Sequence, residues 1–249
     1  MRLYFVALQF LTVIPVPAGL RFREGDLGRS MALFPLVGLT LGALLAGLDH
    51  LLAPLLPRPL ADLLLVAVLA GVTGALHLDG LADVCDGLAA RGDRERFLAV
   101  MKDSRTGAVG VVGVVLGLLL SYQALLAVPA PVKREALLIF PTAARFAQVL
   151  ITVGARQARS DGLAAAFLGD AGLLQLAVAS GITLAAATLL FGIPGIAGTL
   201  FLGLAVWGVR SWFQRRLGGI TGDVIGCASV ITEILCLLLI VAYFSRSAP

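Results

Sequence analysis

The chain has 249 residues, of which 59% are hydrophobic and only 14% charged, and its mean hydropathy is +0.99; soluble domains carry about 25% charged residues, so a soluble globular fold is excluded. Nucleic-acid binding is excluded too, because the 19 Lys and Arg residues behind the net charge of +4 are scattered between apolar stretches and form no single basic face. Cys85, Cys227 and Cys236 make no C-x-x-C pair, which argues against a disulfide framework or a zinc site, and the 29 glycines lie mostly inside apolar runs, where small residues let membrane helices approach.

The N-terminus starts as a signal peptide does, with Arg2 followed by an apolar stretch to Val16, but no small-x-small cleavage site follows. That stretch is too short to cross a bilayer and ends in Pro15 and Pro17, so it reads as a short interfacial or re-entrant helix. Four later runs, 31–48, 63–78, 106–132 and 171–209, contain no Asp, Glu, Lys or Arg. With two further apolar stretches they predict spans at about 31–52, 60–78, 106–128, 136–154, 172–191, 194–209 and 224–244, the longest run being divided at Gly192-Ile193-Pro194-Gly195. The expected fold is all-α: a polytopic integral membrane helical bundle of about seven transmembrane helices, forming one membrane-embedded catalytic domain over 1–249.

If these spans alternate in direction, the loops on one face, 18–30, 79–105, 155–170 and 210–223, carry thirteen Lys and Arg residues, and those on the other face four. The positive-inside rule places the richer face in the cytoplasm. No internal repeat points to a transporter built from two halves.

Six of the fifteen acidic residues fall in the segment 79–105. Asp79, Asp83 and Asp86 are spaced i, i+4, i+7, which on a helix puts them within an arc of about 60°. Three stacked carboxylates repel one another unless neutralised, and a hard divalent cation such as Mg²⁺ does this through oxygen ligands, with substrate phosphates completing its shell. Gly80 and Gly87 would let a phosphorylated ligand approach the backbone. Arg91, Lys102 and Arg105 offer cations for a diphosphate, and Gly107 and Gly110 open the third span, where backbone N–H groups are free to meet an anion.

Polar residues elsewhere in the apolar chain are also candidates. Arg145 and Glu233 sit inside predicted spans, either paired with each other or, for Arg145, bound to substrate. Asp223 begins the last span on the same face as the aspartate cluster, and His77 precedes that cluster as either a packed histidine or a proton shuttle. Glu24, Asp26, Asp49 and Asp62 read as solvated loop residues.

Residues 83–91, DVCDGLAAR, fit the first half of the CDP-alcohol phosphotransferase signature, D-x-x-D-G-x-x-A-R, but its second half is absent: Val100 stands nine residues after Arg91 and only Asp103 follows. A fuller resemblance runs along nearly the whole chain. FLTVIPVP at 10–17, FPLVGLTLG at 34–42, HLDGLADVCDG at 77–87, MKDSRTG at 101–107 and GGITGDVIG at 218–226 resemble, in order, the motifs of the cobalamin synthase family, the adenosylcobinamide-GDP ribazoletransferases. The resemblance implies transfer of the adenosylcobinamide phosphoryl group from adenosylcobinamide-GDP to alpha-ribazole or its phosphate, with GMP leaving and Mg²⁺ required. It also implies a bacterial or archaeal cytoplasmic (inner) membrane, with the active site on the cytoplasmic face.

On this reading Asp79, Asp83 and Asp86 hold Mg²⁺, and Lys102, Arg105 and Arg91 share the diphosphate charge. Asp103 is the candidate base, since it lies between two cations and off the three-acid face; Asp79 or Asp223 would replace it. Arg145, Asp223, Glu233 and His77 are the remaining substrate-binding candidates. A lipid-directed CDP-alcohol phosphotransferase and a cation transporter stand as alternatives; the expected partners are the two small-molecule substrates and the lipid bilayer, with a homo-oligomer as a further candidate and no nucleic acid.

Overall fold

The computed structural model describes residues 1–17, 23–103, 105–159 and 171–245; Ser104 and parts of two basic loops, 18–22 and 160–170, lie outside them. Among the described residues all regular secondary structure is helical apart from one isolated bridge. The helices are α1 (Arg2–Leu11), α2 (Asp26–Ser30), α3 (Phe34–Leu52), α4 (Arg58–Val72), α5 (Leu76–Ala89), α6 (Arg94–Met101), α7 (Ala108–Ala127), α8 (Lys133–Thr152), α9 (Leu173–Phe191), α10 (Ile193–Leu217) and α11 (Gly222–Phe244). Pro35 and Pro194 stand in the first turns of α3 and α10, where the missing N–H would have had no helical partner.

Among the described residues, six segments are long and apolar enough to cross a membrane: 26–52, 108–127, 130–152, 173–191, 193–217 and 222–244. The bent pair α4 and α5 makes up to a seventh. The polytopic bundle is therefore as expected, but the second span is not. In place of one helix over 60–78, α4 stops at Val72 and α5 leaves at an angle of 87°. Gly74 and Ala75 take positive φ (59° and 55°), and Ala75 N–H closes back onto the Ala70 carbonyl at 2.8 Å. The Val72 carbonyl accepts instead from Val13 N–H, at 2.8 Å, in the segment after α1. Buried backbone must find a partner in an apolar medium, and the N-terminal segment supplies the one that breaking the helix requires.

The core forms around α8, which α3 and α11 flank closely. A Cβ on Gly38 would lie 2.6 Å from the Pro141 carbonyl oxygen and one on Gly42 2.7 Å from that of Leu137, so only glycine lets α3 touch the α8 backbone here. α7, α9 and α10 present Leu116, Leu119, Leu189, Leu200 and Trp207 outward, the surface a bilayer covers.

Two acids expected to be solvated are buried. Asp26 accepts from Arg2 Nη2 at 2.7 Å and Arg23 N–H at 2.8 Å, fastening α1 to α2. Asp62, at the opposite end of the bundle, lies between Arg58 (2.6 Å) and Lys133 Nζ (2.8 Å), and Lys133 also donates to the Leu125 carbonyl. Asp49 joins this group through Arg58 at 2.7 Å. The ends of α3, α4 and α8 meet there, and two acids matched by two bases keep the buried network neutral. Glu24 is exposed, as expected.

Candidate functional site

Helix α5 buries His77, Leu81, Val84 and its glycines, leaving Asp79 exposed and Asp83 and Asp86 half-buried on the opposite side. It can press between α7 and α11 because the contact residues are small. A Cβ on Gly80 would stand 2.7 Å from the Asp223 carbonyl oxygen, and Gly117 on α7 receives the Leu81 side chain. Gly87 faces the Phe97 ring of α6. Gly80 and Gly87 thus serve helix packing on their Cβ side, and Gly80 also lines the cavity described below, whereas Gly87 does not.

Asp223 reaches the cluster through a second piece of local structure. Ala158 N–H donates to the Ile220 carbonyl (3.0 Å) and Ile220 N–H to the Arg156 carbonyl (2.9 Å), forming a one-residue parallel bridge. Arg94 of α6 braces it from below, donating to the carbonyls of Leu217 (2.6 Å) and Ala158 (2.8 Å). The bridge sets Arg159 beside the first turn of α11, where its Nη2 lies 3.2 Å from Asp223 Oδ2. Thr221 starts that helix by accepting from Val224 N–H.

These elements border a cavity of about 240 Å³ whose lining includes Asp79, Asp223, Arg159 and His77, together with Gln148 and Thr152 of α8. Asp83, one turn from Asp79, lies in the field of Asp223, Asp79 and Asp86, with Arg159 as the opposing cation.

The third acid of the face is engaged elsewhere. Asp86 Oδ2 accepts from Gly107 N–H at 2.6 Å and Oδ1 from Gly110 N–H at 2.7 Å. The free N–H groups at the start of α7, expected to meet a substrate anion, are held by a protein carboxylate. A Cβ on Gly107 would come within 2.5 Å of Asp86 Oδ1.

Lys102, Asp103 and Arg105 lie in the loop before α7 and, like Arg91 after α5, are exposed and do not line the cavity. Arg105 binds the Asp103 carboxylate with Nη2 at 2.8 Å and Nε at 3.1 Å, and its own N–H adds a bond of 3.0 Å. The guanidinium, then the backbone N–H, holds the Asp103 carboxyl down at about 2; the carboxylate in turn raises Arg105. A carboxylate this acidic is a poor proton acceptor. Arg145 and Glu233 are paired within the bundle: Arg145 Nη1 donates to Glu233 Oε1 (3.2 Å) and Ser229 Oγ (2.9 Å), and Gln148 Nε2 donates to the same hydroxyl (2.9 Å). Neither lines the cavity.

Among the described residues no three Asp, Glu, His or Cys side chains converge to hold an ion by themselves. The donor set still fits Mg²⁺, which is commonly bound by one or two carboxylates with water and substrate phosphate. Asp79 offers a hard oxygen ligand in the cavity lining and half-buried Asp83 stands one helical turn from it, whereas both oxygens of Asp86 already accept hydrogen bonds.

Comparison with known proteins matches residues 3–241 to the family described as cobalamin-5-phosphate synthase. The chain belongs to that family. It is 65% identical to an adenosylcobinamide-GDP ribazoletransferase of Geotalea daltonii over 99% of each chain. Proteins of the same name from Klebsiella pneumoniae and Desulforamulus reducens are 39% and 35% identical, covering 94% of this chain and 97% and 94% of theirs. No solved structure matches.

For this cobalamin-5-phosphate synthase family member, sequence reasoning passed over Arg159, Gln148, Thr152, Phe10 and Phe34 as cavity-lining residues. Gln148 and Thr152 carried a signal: with Arg145 they form a polar stripe spaced i, i+3, i+7 on an otherwise apolar helix, a face that must turn away from lipid. Arg159 carried none, since only the bridge to Ile220 brings it to Asp223.

Proposed function

We propose that this protein transfers the adenosylcobinamide phosphoryl group from adenosylcobinamide-GDP to the ribose hydroxyl of alpha-ribazole or its phosphate, releasing GMP. We place it in the cytoplasmic (inner) membrane with the cavity on the cytoplasmic side, in keeping with the basic loops at that end. The observation that carries the reading is the cavity itself, where Asp79 and Asp223 from different helices face Arg159 at a bundle end.

Phosphoryl transfer needs positioning and charge neutralisation. Asp79 and Asp83 are the residues that would hold Mg²⁺, which when bound neutralises the diphosphate. Arg159 adds a cation on the cavity wall for the phosphate oxygens. The ribose oxygen attacks the phosphorus bonded to the cobinamide, the bond to the GMP oxygen breaks, and the hydroxyl proton passes to a carboxylate. We assign that proton to Asp223 in preference to Asp103, because Asp223 lines the cavity and Asp103 is tied outside it. No His or Cys nucleophile is called on, so displacement is direct.

The test is GMP release by purified protein with the cobinamide donor and ribazole acceptor, with and without Mg²⁺. Turnover only with both substrates and the metal is expected. Turnover of CDP-diacylglycerol with an alcohol, and none with the cobinamide donor, would overturn the reading.

A further inference from the structure

The lining of the cavity is chemically mixed. Besides Asp79, Asp223 and Arg159 it includes half-buried Phe10 of α1 and Ile225 of α11, Leu76, and the almost fully buried Met31 and Phe34, just before and at the start of α3. These five side chains carry no nitrogen or oxygen. Phe34, buried in the core, stacks on Phe10 with rings 15° apart and centroids 6.2 Å from each other, which fixes the orientation of the half-buried Phe10 ring.

The short N-terminal helix that brings Phe10 here is held firmly. Arg2 binds Asp26 at 2.7 Å, Tyr4 Oη bonds Thr40 Oγ1 at 2.7 Å, and Val13 N–H donates to the Val72 carbonyl at 2.8 Å. The wall is thus fixed before a ligand arrives, which lowers the ordering cost of binding.

We propose that this wall is the subsite for the planar base of the acceptor, the dimethylbenzimidazole of alpha-ribazole, with its ribose directed to Asp223. The inference rests on the transfer reaction proposed above and names which substrate part meets the apolar lining. The donor's guanine is the competing flat ring, but its polar edge needs hydrogen-bonding partners that an apolar wall does not offer, and leaving such an edge unpaired is penalised. A methylated benzimidazole has apolar edges and matches the wall. The cavity of about 240 Å³ is smaller than the roughly 300–1,000 Å³ that encloses a drug-sized ligand, a size that suits one compact ring system.

The experiment compares wild type with Phe10→Ala and Ile225→Ala, two half-buried positions on different helices, in GMP release with two acceptors: alpha-ribazole and the riboside of unmethylated benzimidazole. Wild type should favour the methylated acceptor by about tenfold or more in kcat/KM, the usual worth of a methyl in an apolar pocket. Each variant should raise the KM for alpha-ribazole about tenfold and narrow that preference, with the KM for the donor changed less than about twofold. Phe10→Leu should recover most of the loss. A raised donor KM with an unchanged acceptor KM would place the guanine on this wall, and unchanged constants for both would mean it binds no base; either overturns the proposal. If one variant fails to fold, the other decides. Should wild type release no GMP with either acceptor, the reaction itself is misassigned; equilibrium dialysis of alpha-ribazole against wild type and Phe10→Ala then still tests the wall, equal binding or none refuting it.

Discussion

Asp86 is where a metal ligand and a structural clamp make opposite forecasts. Its two carboxylate oxygens receive the N–H groups of Gly107 and Gly110 at 2.6 and 2.7 Å, tying α5 to the start of α7 and to the loop bearing Lys102 and Arg105. Hydrogen bonds to a charged group contribute about 1.5–3 kcal/mol each, with the lower figure apt for a half-buried site. Asp86→Asn keeps one acceptor and turns an amide NH₂ toward an N–H, so a loss of about 2–3 kcal/mol is expected, and Asp86→Ala should lose about 3–5 kcal/mol. For a chain of this size 2–3 kcal/mol corresponds to roughly 5–10 °C in Tm. Gly110→Ala offers a second perturbation that leaves every charge in place, because its Cβ would overlap the Asp86 carboxylate. Thermal unfolding in detergent, paired with GMP release titrated against Mg²⁺, reads both quantities. Asp86→Asn and Gly110→Ala should lower Tm and turnover together while the Mg²⁺ concentration for half-maximal activity stays put. If Asp86→Asn instead raises the Mg²⁺ requirement at an unchanged Tm, Asp86 is a ligand and the clamp argument fails.

The reverse pattern is expected at Asp83, where Asn should cut turnover by orders of magnitude and raise the Mg²⁺ requirement without lowering Tm; near-normal activity at saturating Mg²⁺ would count against a metal there. Arg145→Met leaves Glu233 charged and unpaired in the bundle and should destabilise by about 3–5 kcal/mol, whereas Arg145→Met combined with Glu233→Leu should recover much of that loss; denaturation of the three proteins decides. Because Arg105 depresses the Asp103 carboxyl to about 2, Asp103 stays ionised on the alkaline side of that value and its ion pair is lost only as pH falls toward it. Any acid limb of kcat between about pH 5 and 8 should therefore persist in Asp103→Asn, and its disappearance would restore Asp103 as the base. Cysteines placed at Arg91 and Arg215 should be labelled from one side of the membrane and one at Leu55 from the other; labelling of the first two from opposite sides would contradict a shared basic face.

The sequence by itself determined the helical membrane architecture, because uninterrupted apolar runs of spanning length admit little else in a bilayer. It also singled out the segment from His77 to Asp86 and Asp223 as candidates, because clustered acids in so apolar a chain need something to neutralise them. The i, i+4, i+7 spacing reports which residues share a helix face but not what lies opposite that face. Hence Asp86, on the same face as Asp79 and Asp83, turned out to hold the α7 amides, and Gly80 and Gly87 turned out to seat Asp223 and Phe97. The 87° break at Thr73–Ala75 was hidden in a continuous apolar run because the Val72 carbonyl it leaves without a helical partner is satisfied by Val13 N–H, from a distant part of the chain. Asp26 and Asp62 read as solvated because their partners Arg2 and Lys133 come from other helices. Arg159 and the Phe10–Phe34 wall join the acids only when separate elements pack, so long-range placement, which local periodicity does not encode, completed the candidate site.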